Sequence, residues 1–176
     1  MSAPQTLSVL VEIPRGERNK YEVDHATGRI TLDRTLFTSM GYPADYGYIE
    51  GTLGEDGDPL DALVLDEVPV FPGCLVDARP IGLFVMSDEH GPDPKVICVP
   101  DDVRYDGIRG LNDISSWKKA EIKHFFSSYK AIEPGKHVDS DLFWADLATA
   151  RRKIDEAFSR AGAKLIPTNG HPGRPA

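Results

Sequence analysis

Leu7-Ser8-Val9-Leu10-Val11-Glu12-Ile13 sets Leu7, Val9, Val11 and Ile13 two residues apart, with Ser8 and Glu12 between them. A two-residue period turns those four apolar side chains to one face, as in a strand that buries one side. The period returns at Lys20-Tyr21-Glu22-Val23-Asp24 and, past a turn at 25–28, at Arg29-Ile30-Thr31-Leu32-Asp33, which predicts a hairpin. Further strands are expected at 62–66, 74–81, 83–87 and 95–99, each bounded by Gly, Pro or Asp.

The last third changes period. Ile122, Phe125, Phe126, Tyr129 and Ile132 recur at helical spacing after a Ser115 or Ser116 cap, with Pro134-Gly135 expected to end the helix. By this spacing Tyr129 belongs to the apolar stripe. A second helix is expected to carry Phe143, Leu147, Ala150, Ile154 and Phe158 on one face and Arg151, Arg152 and Asp155 on another. Five to seven short strands followed by two helices predict an α+β chain, mainly β: a closed barrel with two C-terminal helices packed outside. One domain over 7–162 is expected, with flexible ends at 1–6 and 163–176.

The 176 residues suffice for a sizeable core, and 40% hydrophobic with 27% charged residues is ordinary for a globular protein. A net charge of −8 repels nucleic acid and anionic membrane surfaces, so an anionic substrate needs local cations or metal. No apolar run approaches a membrane span, and the N-terminus has neither the basic region nor the apolar stretch of a secretory leader. Cys74 and Cys98 adjoin apolar runs and read as reduced thiols of a cytoplasmic protein.

Within Asp56-Gly57-Asp58-Pro59-Leu60-Asp61, three carboxylates crowd into six residues. They repel one another unless a cation binds them, and a hard divalent ion such as Mg²⁺ fits all-oxygen ligation. A polar turn is the plainer alternative, since Asp, Gly and Pro favour turns for backbone reasons. An EF-hand is excluded, because Leu60 and Asp61 stand where that loop wants an oxygen ligand and a glycine. A second acidic loop, Asp88-Glu89-His90-Gly91-Pro92-Asp93, lies between two predicted strands and lets Asp88 and Asp93 converge, with Lys95 beside them. The five histidines show no paired ligand spacing, which favours Mg²⁺ or Mn²⁺ over zinc.

Lys20 and Glu22 share a strand face, and Arg34 ends the paired strand; with Lys95 they are a cationic counterpart to the acidic loops. The tyrosines of Tyr42-Pro43-Ala44-Asp45-Tyr46-Gly47-Tyr48 read either as packed aromatics at a barrel corner or as hydroxyl donors to phosphate. A nucleic-acid-binding barrel is the rival reading, opposed by the charge and by the lack of a basic stripe.

Together these residues resemble the family I soluble inorganic pyrophosphatases in their short prokaryotic form. The resemblance runs from about Val9 to Phe158. It rests on Val11-Glu12-Ile13-Pro14, Lys20-Tyr21-Glu22, Asp33-Arg34, Tyr42-Pro43 with Tyr46-Gly47-Tyr48, the Asp56–Asp61 signature, Asp88, Asp93 and Lys95, and His124-Phe125-Phe126 leading to Tyr129-Lys130. It implies an OB-like five-stranded barrel, a homohexamer, and hydrolysis of pyrophosphate to two orthophosphates with several Mg²⁺ ions per site, Mn²⁺ being an alternative. It also implies roles: Asp56, Asp61, Asp88 and Asp93 as metal ligands, and Asp58 as acceptor of the attacking water's proton. Lys20, Arg34, Tyr46, Lys95, Tyr129 and Lys130 would hold phosphate, with Glu12, Glu22 and Tyr42 in support. Tyr129 thus becomes ligand-facing, against its periodicity. Ser128 stands where some members carry a second helix histidine.

Overall fold

In β1 (Leu7–Ile13) the alternation holds: Leu7, Val9, Val11 and Ile13 are buried and the residues between them partly exposed. The computed structural model describes residues 6–162, so the flexible ends expected at 163–176 and, apart from Thr6, at 1–6 lie outside the described residues. The predicted hairpin is present as β2 (Asn19–Asp24) and β3 (Arg29–Thr35), a two-stranded sheet of its own. The remaining strands are β4 (Asp45–Ile49), β5 (Asp61–Val64), β6 (Leu75–Val85), β7 (Ser87–Asp88), β8 (Gly91–Pro92), β9 (Lys95–Pro100) and β10 (Phe143–Ala145).

Pairing runs β1-β4-β5-β9-β6 and returns to β1, which closes a five-stranded barrel; only β5 and β9 run parallel. Closure leaves the five strands without a free edge. The two strands expected at 74–81 and 83–87 are one strand to Val85, β6, because β9 pairs with it from Ala78 to Phe84 across the expected break, with only a bulge between Pro80 and Gly82. Of the tyrosine-rich segment, Asp45 to Tyr48 lies in β4, and Tyr42-Pro43-Ala44 leads into it. Gly47 is required there: a Cβ would stand 1.9 Å from the Leu10 carbonyl oxygen on β1.

Both faces of β5 and β9 are buried. On one, Val9, Ala62, Val64, Val96 and Cys98 pack with Ala150, Ile154 and Ala157 of α2 (Leu147–Ala161). On the other, Ile13, Leu63, Ile97 and Val99 pack with Ile122, Phe125 and Phe126 of α1 (Ser116–Ser128). Ser115 caps α1, its hydroxyl accepting from the Lys118 N–H at 3.1 Å. That helix stops at Ser128 instead of running to Pro134-Gly135, which leaves Ile132 exposed. Pro134 has no N–H for the Lys130 carbonyl, and the residue before a proline is steered away from the helical region. The Glu133 N–H takes that carbonyl instead, at 3.0 Å. Phe143 likewise belongs to β10, not to the second helix, because Asp146 accepts from the Thr149 N–H at 2.9 Å and starts α2 there. Cys74 and Cys98 are both free thiols. No helix among the described residues is long and apolar enough to cross a membrane.

Candidate active site

β5 and β9 run parallel and begin at the same end of the barrel, with Ala62 opposite Val96. The shared direction places Asp61, Asp93 and Lys95 side by side. The Lys95 ammonium, almost wholly buried, donates to Asp61 Oδ2 and Asp93 Oδ1 at 2.5 Å each. The Tyr46 hydroxyl donates to the same Asp61 Oδ2, also at 2.5 Å. The loop before β5 brings Asp56 and Asp58 to this cleft, where Gly57 takes φ 96° and the Asp58 N–H donates to Asp56 Oδ1 at 3.1 Å. The β7–β8 turn brings Asp88, which accepts from Lys130 Nζ at 2.6 Å.

The hairpin forms the facing wall. A bulge opposite Lys20 pairs that residue with Arg34 and leaves Asp33 extra, so Asp33 Oδ2 meets both cations. Lys20 also pairs with Glu22. A second irregularity, between Val11 and Ile13, falls at Glu12, whose Oε1 accepts from the Val23 N–H at 2.8 Å and pins the hairpin to the barrel. Behind the cleft, Tyr42, Phe125, Phe126 and Tyr129 form a stack of rings with centroids 4.8–5.6 Å apart.

The structure therefore brings Glu12, Lys20, Glu22, Arg34, Tyr46, Asp56, Asp58, Asp61, Asp88, Asp93, Tyr129 and Lys130 to one cleft of roughly 1200 Å³. Tyr42 and Lys95 do not line it: Lys95 lies under the wall, and Tyr42 sits behind Tyr46 at a centroid distance of 5.2 Å. Tyr129 is buried in the α1 core, as its period predicts, and also lines the cleft.

The inorganic pyrophosphatase family model matches residues 9–162. The chain belongs to the inorganic pyrophosphatase family. An inorganic pyrophosphatase of Corynebacterium glutamicum is 56% identical over 155 residues, covering 88% of this chain and 98% of the relative. One from Streptomyces coelicolor is 54% identical over 153 residues, covering 86% and 93%. The crystal structure of the Thermus thermophilus inorganic pyrophosphatase superposes with a TM-score of 0.87 at 44% identity, covering 91% of this chain and 93% of that one.

Electrostatics sort the pyrophosphatase cleft into strained and relaxed groups. Burial is the largest influence on Glu12 and, with Asp61 and Glu22 nearby, pushes its carboxyl up to about 7 despite the Val23 N–H. Burial and the neighbouring Asp61 and Asp88 hold the Asp93 carboxyl above its ordinary value, although Lys95 pulls it down. For Asp88 burial acts upward too, but the Lys130 ammonium and the His90 N–H outweigh it and the carboxyl is lowered. Burial alone would lower the Lys95 ammonium; Asp61 and Asp93 reverse that and raise it.

The carboxylates suit a hard divalent ion. All are oxygen donors, they arise from two loops on one wall, and Asp56 and Asp58 have no cationic partner among the described residues. Among those residues no three His, Cys, Asp or Glu side chains stand ready as a ligand set, because Lys95 and Lys130 engage Asp61, Asp93 and Asp88. Three charged residues here carried no signal in the sequence. Glu89, held down to about 2 by its own N–H, Lys130 and the His137 N–H against the effect of burial, braces Lys130 and Lys136. Glu133 is buried against Arg34. All three lie in irregular segments, where no period marks a side chain's direction.

Proposed function

We propose that this chain hydrolyses inorganic pyrophosphate to two orthophosphates in a Mg²⁺-dependent reaction. The observation that carries the reading is one cleft lined both by cationic donors, Lys20, Arg34 and Lys130, and by the carboxylates of Asp56, Asp58, Asp61, Asp88 and Asp93. The family relationship supports it, since the relatives above are named for this activity.

Asp56, Asp61, Asp88 and Asp93 are the residues that would hold the metal, and Mn²⁺ suits the same oxygen donors. Bound Mg²⁺ supplies positive charge that acidifies the attacking water and offsets the charge of the diphosphate. Lys20 and Arg34 approach from the hairpin, and Lys130 and the Tyr129 and Tyr46 hydroxyls from the opposite side, to orient phosphate oxygens. Asp58 is exposed and its carboxylate has no ion-pair partner among the described residues, so it is free to accept the proton of the attacking water at Oδ. Lys95 acts from beneath the wall: it keeps Asp61 and Asp93 from repelling each other and offers charge to phosphate when those carboxylates turn to metal. Glu12 and Glu22 set the hairpin and its lysine, and Tyr42 backs Tyr46. Charge spreads over the phosphoryl oxygens in a loose transition state, so cationic donors fixed in place are what the reaction needs.

The same reading makes the protein cytoplasmic and homo-oligomeric, a hexamer by family, without a nucleic-acid or membrane partner. Val68, Phe71 and Leu75, exposed along one stretch, are apolar surface for subunit packing. Colorimetric release of orthophosphate from pyrophosphate tests the central claim. Release with Mg²⁺ that excess chelator abolishes is expected; no release with any divalent ion would end it.

A further inference from the structure

We propose that Glu133 is a positioning residue that holds the Arg34 guanidinium in the orientation that receives a phosphate. This rests on the reading of the cleft as a pyrophosphate site. Glu133 lies in the turn after α1, fixed by its own N–H on the Lys130 carbonyl at 3.0 Å and by the Lys136 N–H on its carbonyl at 3.2 Å. Its side chain is 7% exposed and meets Arg34 Nε at 2.8 Å.

A carboxylate is not kept in such a place for stability. Burying an ion pair costs several kcal/mol per ion in lost hydration, and a buried pair repays this only with good alignment and full hydrogen bonding. This pair has neither. Arg34 Nε and Glu133 Oε1 are close but out of line for a hydrogen bond, and Glu133 Oε2 is buried without a partner. What the contact does fix is direction. A guanidinium is a planar fork. Glu133 holds its Nε edge from the α1 side, while Asp33 engages Nη1 from the hairpin. Nη2 has no hydrogen bond to protein among the described residues, and Arg34 lines the cleft. Held at Nε from one side and at Nη1 from the other, the guanidinium keeps its Nη2 N–H groups for the cleft that Arg34 lines, as donors to a phosphate oxygen.

The contact also links the two walls. Glu133 is three residues after Lys130, so one turn places Lys130 on Asp88 and steers Arg34 on the hairpin. Loss of Glu133 leaves Arg34 tethered by Asp33 alone and free to turn toward solvent, and the diphosphate then meets a donor that must be reoriented.

The test is a double-mutant cycle of Glu133→Gln and Arg34→Ala, read by steady-state kinetics, thermal unfolding and calorimetric titration with pyrophosphate. Glu133→Gln keeps volume and removes charge. It is expected to raise KM for pyrophosphate roughly tenfold, to change kcat by less than about threefold, and to leave Tm within a few degrees. In the Arg34→Ala background it is expected to do nothing further. An equal loss in both backgrounds, or an unchanged KM, overturns the proposal. If Glu133→Gln does not fold, Glu133→Asp, which keeps the charge but falls one carbon short, enters the same cycle. Should the wild-type chain release no orthophosphate, the reading of the cleft as catalytic fails by itself. The titration then decides this proposal, which stands if Glu133→Gln weakens pyrophosphate binding through Arg34 and falls if it does not.

Discussion

Replacing Lys95 by Met removes one charge from beneath the cleft while keeping a straight chain of similar length. The Lys95 side chain is 2% exposed, and the two carboxylates it joins, Asp61 and Asp93, are 26% and 21% exposed. Deleting one partner of a buried pair costs about 3–5 kcal/mol, because the other charge is stranded. Here two charges are stranded, but both retain some contact with water, which places the loss near the lower end, about 3 kcal/mol. For a chain of this size roughly 2–4 °C accompanies each kcal/mol, so thermal unfolding in chelator should fall by about 6–12 °C. Mg²⁺ should then restore more stability to Lys95→Met than it adds to the wild type, since a divalent ion would offset the same two carboxylates. Circular dichroism melts of both proteins, with EDTA and with Mg²⁺, measure all four values. No loss in EDTA would refute the energetics of the pair. An equal loss under both conditions would refute Asp61 and Asp93 as metal ligands.

Three further outcomes are expected. Asp58→Asn should lower kcat about 10²–10³-fold, the range for losing a proton acceptor, without shifting the melt, because Asp58 is exposed; orthophosphate release and calorimetry check both parts. Burial, with the buried Asp45 beside it, outweighs Arg15 and the residue's own N–H and pushes the Asp66 carboxyl up to about 7 from the ordinary aspartate range. A folded value above the unfolded one means stability that is full below about pH 4 and lost as pH rises to about 7. Asp66→Asn should therefore flatten a fall that solvent access limits to about 1 kcal/mol, read from urea midpoints across that window. Gly47→Ala forces a methyl against the Leu10 carbonyl and should cost about 3 kcal/mol or more, visible in the same urea titration; a loss under 0.5 kcal/mol would mean that β1 and β4 separate easily.

The parts of the fold legible in the sequence were those in which one physical period governed a whole element. β1 alternates cleanly because one face is packed and the other is wet; the β2–β3 hairpin alternates too, although Ile30 and Leu32 of β3 stay exposed. Elements buried on both sides left no such trace. Val96-Ile97-Cys98-Val99 is apolar throughout, and only its bounding prolines marked the strand expected at 95–99; β4 was hidden because three tyrosines and a glycine in seven residues look like a corner. Helix limits failed where a local device overrode periodicity: Asp146 as a cap cut Phe143 away from α2, and Pro134 ended α1 early. The site was readable as residue types at characteristic spacing. Its wiring was not. Nothing in the chain announces that Lys95 lies beneath its aspartates, or that Glu133 returns from a turn to meet Arg34.

The hairpin is hydrogen-bonded as a sheet of its own, and the Glu12 contact with the Val23 N–H is a single pin between it and β1. Its outer residues, from Asp24 to Thr31, are exposed. Two of the cations thus ride on a module whose tip can be lengthened, trimmed or recharged while the barrel keeps its packing. For protein engineering this makes the arm the natural handle for retuning how long a bound anion stays, with little risk to the rest of the molecule.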